Sequence, residues 1–108
     1  MEGLEMTCFQ IISAVGMAKS SYIEAIQEAK KGNIERAKEL IQEGEKSFVG
    51  GHEAHAGLIQ QEASGQAVQL NLLLMHAEDQ LMAAETCKIM AVEVIDLYER
   101  LTALEGKV

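Results

Sequence analysis

Proline and tryptophan are absent from this chain, and the aromatic residues are two phenylalanines and two tyrosines. Without proline nothing forbids long unbroken helices, and strands lack much of the aromatic material that favours them. Basic residues are also scarce: nine Lys and Arg against seventeen Asp and Glu leave a formal charge of −8. Phosphate backbones are bound through clusters of Lys and Arg, so this balance argues against nucleic acid and against an anionic membrane surface. A basic protein partner, steered by the acidic field, suits the charge better. Long apolar runs are missing too, none approaching the roughly 20 residues of a spanning helix. The start, Met1-Glu-Gly-Leu-Glu-Met6, carries neither the basic region nor the apolar region of a signal peptide. A cytoplasmic protein without direct membrane insertion is expected. Cysteine occurs only at Cys8 and Cys87, with no CxxC and no Cys/His spacing, which reads as two reduced residues in a core or an interface.

What is present is helix-forming. Ala, Leu, Ile, Met, Glu, Gln and Lys dominate, 48% of the 108 residues are apolar, and the length suits one domain over 1–108. The fold class is all-α. A first helix spans Glu5 to Lys31, with Cys8, Ile12, Val15, Tyr22, Ile26 and Ala29 recurring at threes and fours and Ile11, Ala18 and Ala25 widening the stripe. Gly16 costs this helix about 1 kcal/mol relative to Ala, so it is expected where another helix approaches closely. Lys30-Lys31-Gly32-Asn33 is the clearest boundary: two cations at the negative end of the dipole, a glycine for a left-handed cap, and an N-cap for the next helix.

The second helix runs from Ile34 to Ala63 with a kink expected at Gly50-Gly51, and Ser64-Gly65 ends it. The third runs from Val68 to Leu104, about 55 Å at 1.5 Å per residue. It has two apolar faces. Leu70, Leu73, Leu74, Ala77, Leu81, Ala84, Ala91, Ile95 and Tyr98 suit packing on the other helices; Leu72, Met75, Met82, Ile89 and Met90 form a second stripe that also carries Asp79, Thr86 and Glu93. A three-helix domain has no use for a second buried face, which predicts self-association through the third helix.

The chemistry on offer is narrow. No nucleophile elbow, Cys/His arrangement or phosphate-binding glycine loop is present. His52 and His55 share a helix face, but HExxH and a third zinc ligand are missing, so solvent exposure or an interhelical hydrogen bond is the better reading of this pair than a metal. His76 stands apart. It lies between the two apolar stripes in Leu72-Leu-Leu-Met75-His76-Ala77-Glu78-Asp79-Gln80-Leu81-Met82, with Asp79 at i+3 and Gln80 at i+4 on its own side. Imidazole is a good nucleophile toward phosphoryl groups, partial burial would limit hydrolysis of the phosphoramidate it forms, and an amide such as Gln80 could donate to a phosphate oxygen. From spacing alone, a core or interface histidine with satisfied nitrogens remains the better reading.

A resemblance shifts that balance. Leu73-Leu-Met-His76-Ala-Glu-Asp-Gln80-Leu-Met82 resembles the active-site segment of the lactose/cellobiose-type enzyme IIA of the bacterial phosphoenolpyruvate-dependent sugar phosphotransferase system. Gly16-x-Ala18-x-Ser20, Glu24-Ala25-Ile26, Lys31-Gly-Asn33 and His52-x-x-x-x-Gly57-Leu-Ile-x-x-Glu62-Ala-Ser-Gly65 fall where that family has similar elements, so the likeness covers almost the whole chain. It implies an antiparallel three-helix subunit forming a homotrimer through the third helix. It also implies that His76 accepts a phosphoryl group from the phosphocarrier HPr and yields it to a cysteine of the cognate IIB, with the membrane IIC component reached only indirectly. Asp79 corresponds to an aspartate that gathers from three subunits around a divalent cation, assigned as magnesium; three carboxylates on an axis repel unless a hard cation neutralises them.

The chain departs from the pattern at two places. Several members have a second histidine where this chain has Gln80, which can hydrogen-bond but cannot shuttle a proton, and a glutamine is common where it has His55. The Ala77-Glu-Asp-Gln80 version of the motif favours a β-linked disaccharide, cellobiose or a related β-glucoside, over lactose. The competing expectations are a non-catalytic helical adaptor that binds a partner helix through the surplus face, and a metal-storing or metal-sensing bundle.

Overall fold

A computed structural model describes residues 3–106; the outermost two positions at each end of the expected domain, and with them Met1 and Glu2 of the start, lie outside the described residues. Three helices account for nearly all of it: α1 over Gly3–Lys30, α2 over Ile34–Ala63 and α3 over Leu72–Glu105, with no strand among the described residues. They form an antiparallel bundle 62 Å long and 23 by 20 Å across.

The stops of α1 and α2 follow from local chemistry. Gly32 takes φ +86° and Gly65 φ +96°, the left-handed region that costs glycine nothing. Each allows the chain to fold back on the helix end, with Asn33 N–H donating to Glu28 O at 3.0 Å and Gln66 N–H donating to Gln61 O at 3.2 Å. Asn33 does occupy the position before α2, but its side chain does not cap that helix: its amide donates to the Glu28 carboxylate at 3.1 Å instead. At the third helix the expected start is corrected. The helix begins at Leu72 and not Val68, because Asn71, in extended backbone, accepts from Leu74 N–H at 2.8 Å through its side chain and so defines the first turn. Leu70 therefore lies outside the helix and is exposed.

The buried face of α1 runs Cys8, Ile11, Val15, Ala18, Tyr22, Ala25, Ala29, an alternation of threes and fours. Ile12 and Ile26, expected on the main stripe, flank it instead. This face receives both other helices, while α2 and α3 touch one another far less. The core is graded along the bundle. At one end Leu74, Ala77, Leu81 and Ala84 of α3 meet Cys8, Ile11, Val15 and Leu58; at the other, Ala25, Ala29, Ala37, Leu40 and Ile95 close it.

Small residues on facing helices set the spacing, and the glycines that matter are in α2. A Cβ on Gly44 would lie 2.5 Å from Tyr22 Cε1, and one on Gly51 2.7 Å from Val15 Cγ1. Gly50-Gly51 accordingly does not break the helix: α2 is continuous over 30 residues, and Gly51 is there to let Val15 approach. Gly16, expected at a close approach, has nothing within 4 Å of where a Cβ would stand. Of the two apolar faces of α3, one is buried, and the other, with Leu72, Met75, Met82, Ile89 and Met90, is uncovered.

Candidate functional site

The segment that carries His76 is held from beneath. Leu74, Ala77 and Leu81, at i, i+3 and i+7, press the first turns of α3 onto Cys8, Ile11, Val15 and Leu58. The Asn71 cap fixes where those turns begin. Residues between these anchors must then point outward or sideways. Met75, His76, Asp79 and Met82 are exposed, and Gln80 is half-buried one turn below His76. The partial burial expected for His76 is thus not supplied by its own subunit. What the subunit supplies is an imidazole presented on a rigid, anchored helix beside an amide and a carboxylate.

One contact in this segment is not readable from the sequence. His55 of α2 and Glu78 of α3 meet, Nε2 to Oε1, at 2.6 Å, the imidazole N–H donating to the carboxylate. His55 is the more enclosed of the two, its side chain 18% exposed against 39% for Glu78. Of the two readings left open for the histidine pair, the interhelical hydrogen bond is therefore what His55 makes. His52 is exposed, its ring tilted against Phe48 with centroids 6.1 Å apart. The two residues are 23 positions apart, so no local motif announces the pairing, and the only sign available is that His55 lies on the face of its helix that the apolar period turns inward.

Glu78 also bears on Cys8 beneath it: burial first, and then the negative charge of Glu78, push the Cys8 thiol above its ordinary range. Cys8 is buried and Cys87 half-buried, both as free thiols. A raised thiol in an apolar core is a poor nucleophile, as expected of a packing residue.

Asp79 offers a hard oxygen donor of the kind magnesium prefers, set among methionines on the uncovered face of α3. Among the described residues no three histidine, cysteine or carboxylate side chains of one chain gather closely enough to hold a metal ion. A cation at Asp79 would take its remaining ligands from water or from other copies of the chain, and the position of Asp79 on the uncovered face is compatible with either. No helix among the described residues is long and apolar enough to cross a membrane.

Comparison with known proteins agrees with this arrangement. The family model for the lactose/cellobiose-specific IIA subunit of the phosphotransferase system matches residues 6–99. The lichenan-specific phosphotransferase enzyme IIA component of Bacillus subtilis is 42% identical over 105 residues, covering 97% of this chain and 96% of that one. The cellobiose-specific EIIA component of Lactococcus lactis is 38% identical over 97 residues, 90% of this chain and 84% of the other. Among solved structures, the cellobiose-specific enzyme IIA from Bacillus anthracis superimposes with a TM-score of 0.92 at 40% identity, over 95% of this chain and 94% of that one. A match that includes all three helices and the whole of the His76 segment leaves one assignment: the chain belongs to the lactose/cellobiose-specific IIA family of the phosphotransferase system, and is a phosphotransfer component of that system.

Proposed function

We propose that His76 is the phosphoryl-accepting residue, taking the group from HPr and yielding it to a cysteine of the cognate IIB. The observation that carries this reading is the placement of His76: exposed at the start of a helix whose opposite side is locked into the core, with Gln80 one turn along. In the first transfer a lone pair on an imidazole nitrogen of His76 attacks phosphorus, an N–P bond forms, and the donor's bond to phosphorus breaks with its electron pair leaving on the donor. In the second, the IIB thiolate attacks, an S–P bond forms, and the N–P electron pair returns to His76. Little covalent machinery is required, and the rate comes from position and electrostatics. Gln80 supports the step by donating its amide N–H to a phosphate oxygen, adding no negative charge to a site that already has Asp79 beside it. Since the subunit leaves His76 open to water, the shielding of its phosphoryl group falls to neighbouring copies and to the docked partner.

The uncovered face of α3 supports a homotrimer through that helix, with Asp79 from three copies holding a divalent cation, Mg2+ in preference. That cation would supply charge neutralisation between carboxylates and takes no part in transfer. Exposed Met75 and Met82 beside His76 give an adaptable surface for docking two different proteins in turn. A cytoplasmic location, with IIC reached only through IIB, goes with this role. For the transported sugar the reading is a β-linked disaccharide, cellobiose or a β-glucoside before lactose: the relative named for lichenan shares 42% identity with this chain, those named for cellobiose and for galactose 38%, and those named for lactose 28 to 35%.

The test is incubation with phosphoenolpyruvate, enzyme I and HPr. Wild type should acquire an acid-labile, alkali-stable phosphate that is lost in His76→Ala. Absence of uptake while HPr itself is phosphorylated would instead leave the helical adaptor, with His76 inert.

A further inference from the structure

Helices α2 and α3 pack mainly on α1 and little on each other. Besides the apolar clusters that hold Leu58 with Leu74 and Leu40 with Ile95, what joins them is a row of three side-chain contacts in antiparallel register: the His55–Glu78 hydrogen bond and the Glu45–Lys88 and Lys38–Glu99 ion pairs. The last two rungs are ordinary in kind, and the Lys38–Glu99 pair is nearly half exposed on both sides. An exposed pair of that sort contributes little. The first rung differs in two ways. Its histidine is largely enclosed, and its carboxylate belongs to the residue between Ala77 and Asp79, in the middle of the segment that presents His76.

We propose that His55 is a positioning residue for His76, acting through Glu78; the inference rests on the carrier reading above. Leu74, Ala77 and Leu81 lock the first turns of α3 against the core, but apolar contact is non-directional and defines the helix's rotation about its axis less finely than its position. A hydrogen bond is directional. At about 100° per residue, His76 lies about 160° around the helix from Glu78, and Asp79 about 100°. Tying Glu78 to α2 therefore turns both His76 and Asp79 away from α2, toward the open side of the bundle. Because His55 is more enclosed than either partner of the outer rungs, the contact is less screened by solvent than they are.

Three variants test the inference. His55→Leu removes the donor, His55→Gln keeps an amide donor in its place, and Lys38→Met breaks the distant rung, about 30 Å away along α3. Each is first checked for helix content, then read in single-turnover transfer from phospho-HPr, with maximal rate and half-saturating donor concentration separated, and by backbone amide NMR shifts of residues 75–80. His55→Leu should lose on the order of ten-fold in maximal rate at nearly constant half-saturation, as a misaimed nucleophile does. His55→Gln should recover most of that loss, and Lys38→Met should transfer like wild type. A wild-type rate in His55→Leu overturns the inference; so does a glutamine variant as slow as the leucine one, or an equal loss in Lys38→Met, which would make the whole row a structural joint. If wild type accepts no phosphate, the carrier reading falls alone, and the amide shifts still decide the positioning role. Displaced shifts at residues 76 and 79 in His55→Leu that glutamine returns support it, and unmoved shifts there overturn it.

Discussion

Tyr22 is the largest fully buried side chain in the bundle, and its hydroxyl has no hydrogen-bond partner among the described residues. A buried donor without a partner costs on the order of 1–3 kcal/mol. Tyr22→Phe keeps the ring that Gly44 accommodates and removes the orphan, so it should be neutral to stabilising by about 1 kcal/mol in urea unfolding at neutral pH. The same burial, with the negative charges of Glu45 and Cys87 added, pushes the phenol from 10 up to about 12. Ionisation is thus disfavoured in the fold. As pH rises the unfolded chain gives up this proton first, so the contribution is intact below pH 10 and is lost between about pH 10 and 12. Wild type should therefore lose stability more steeply than Tyr22→Phe over that interval, with every other titrating group common to both. Parallel alkaline profiles would contradict this account of the residue.

At the scale of elements, α2 contains glycines of opposite meaning. Gly51 lies under Val15, where a methyl would come 2.7 Å from Cγ1 and 3.3 Å from Ala14 Cβ, so Gly51→Ala must push α1 and α2 apart and should cost about 1–3 kcal/mol. Gly57 has nothing within 4 Å, and Gly57→Ala should gain up to about 1 kcal/mol from helix propensity alone. Thermal unfolding of the two variants should move in opposite directions. Sequence cannot tell these glycines apart, because the distinction lies in what the neighbouring helix does. The ends of α1 and α2 are another matter: Lys30-Lys31-Gly32 and Ser64-Gly65 carry their own chemistry, and both are where that chemistry implies. The start of α3 is harder to read. Gln66 to Leu70 has nothing against a helix, and only the choice made by Asn71, to cap and not to continue, puts the boundary at Leu72. His55 with Glu78 is invisible for a similar reason, since the pair exists only once two helices have been set side by side.

For the whole molecule the deciding feature is the uncovered side of α3. Its stripe of Leu72, Met75, Met82, Ile89 and Met90 is as apolar as the buried stripe, and Asp79 and Glu93 interrupt it with charge. The proposed assembly through this face would have to offset the mutual repulsion of chains that each carry −8, so it should strengthen as salt screens them. The apolar stripe is the attractive part and Asp79 the repulsive part, which separates two variants. Ile89→Glu, which adds a further charge to the face, should yield smaller species in sedimentation with helix content unchanged. On the proposed trimer, Asp79→Leu should remain assembled even after chelation of divalent cations, because it removes the carboxylates that would call for a metal there and part of the repulsion between copies. Dissociation of Asp79→Leu into monomers would mean that the cation, and not the apolar face, holds the copies together. Since His76 and Asp79 point from adjacent turns of one helix, phosphate uptake by the assembled Asp79→Leu protein should persist, separating the residue that transfers from the one that assembles.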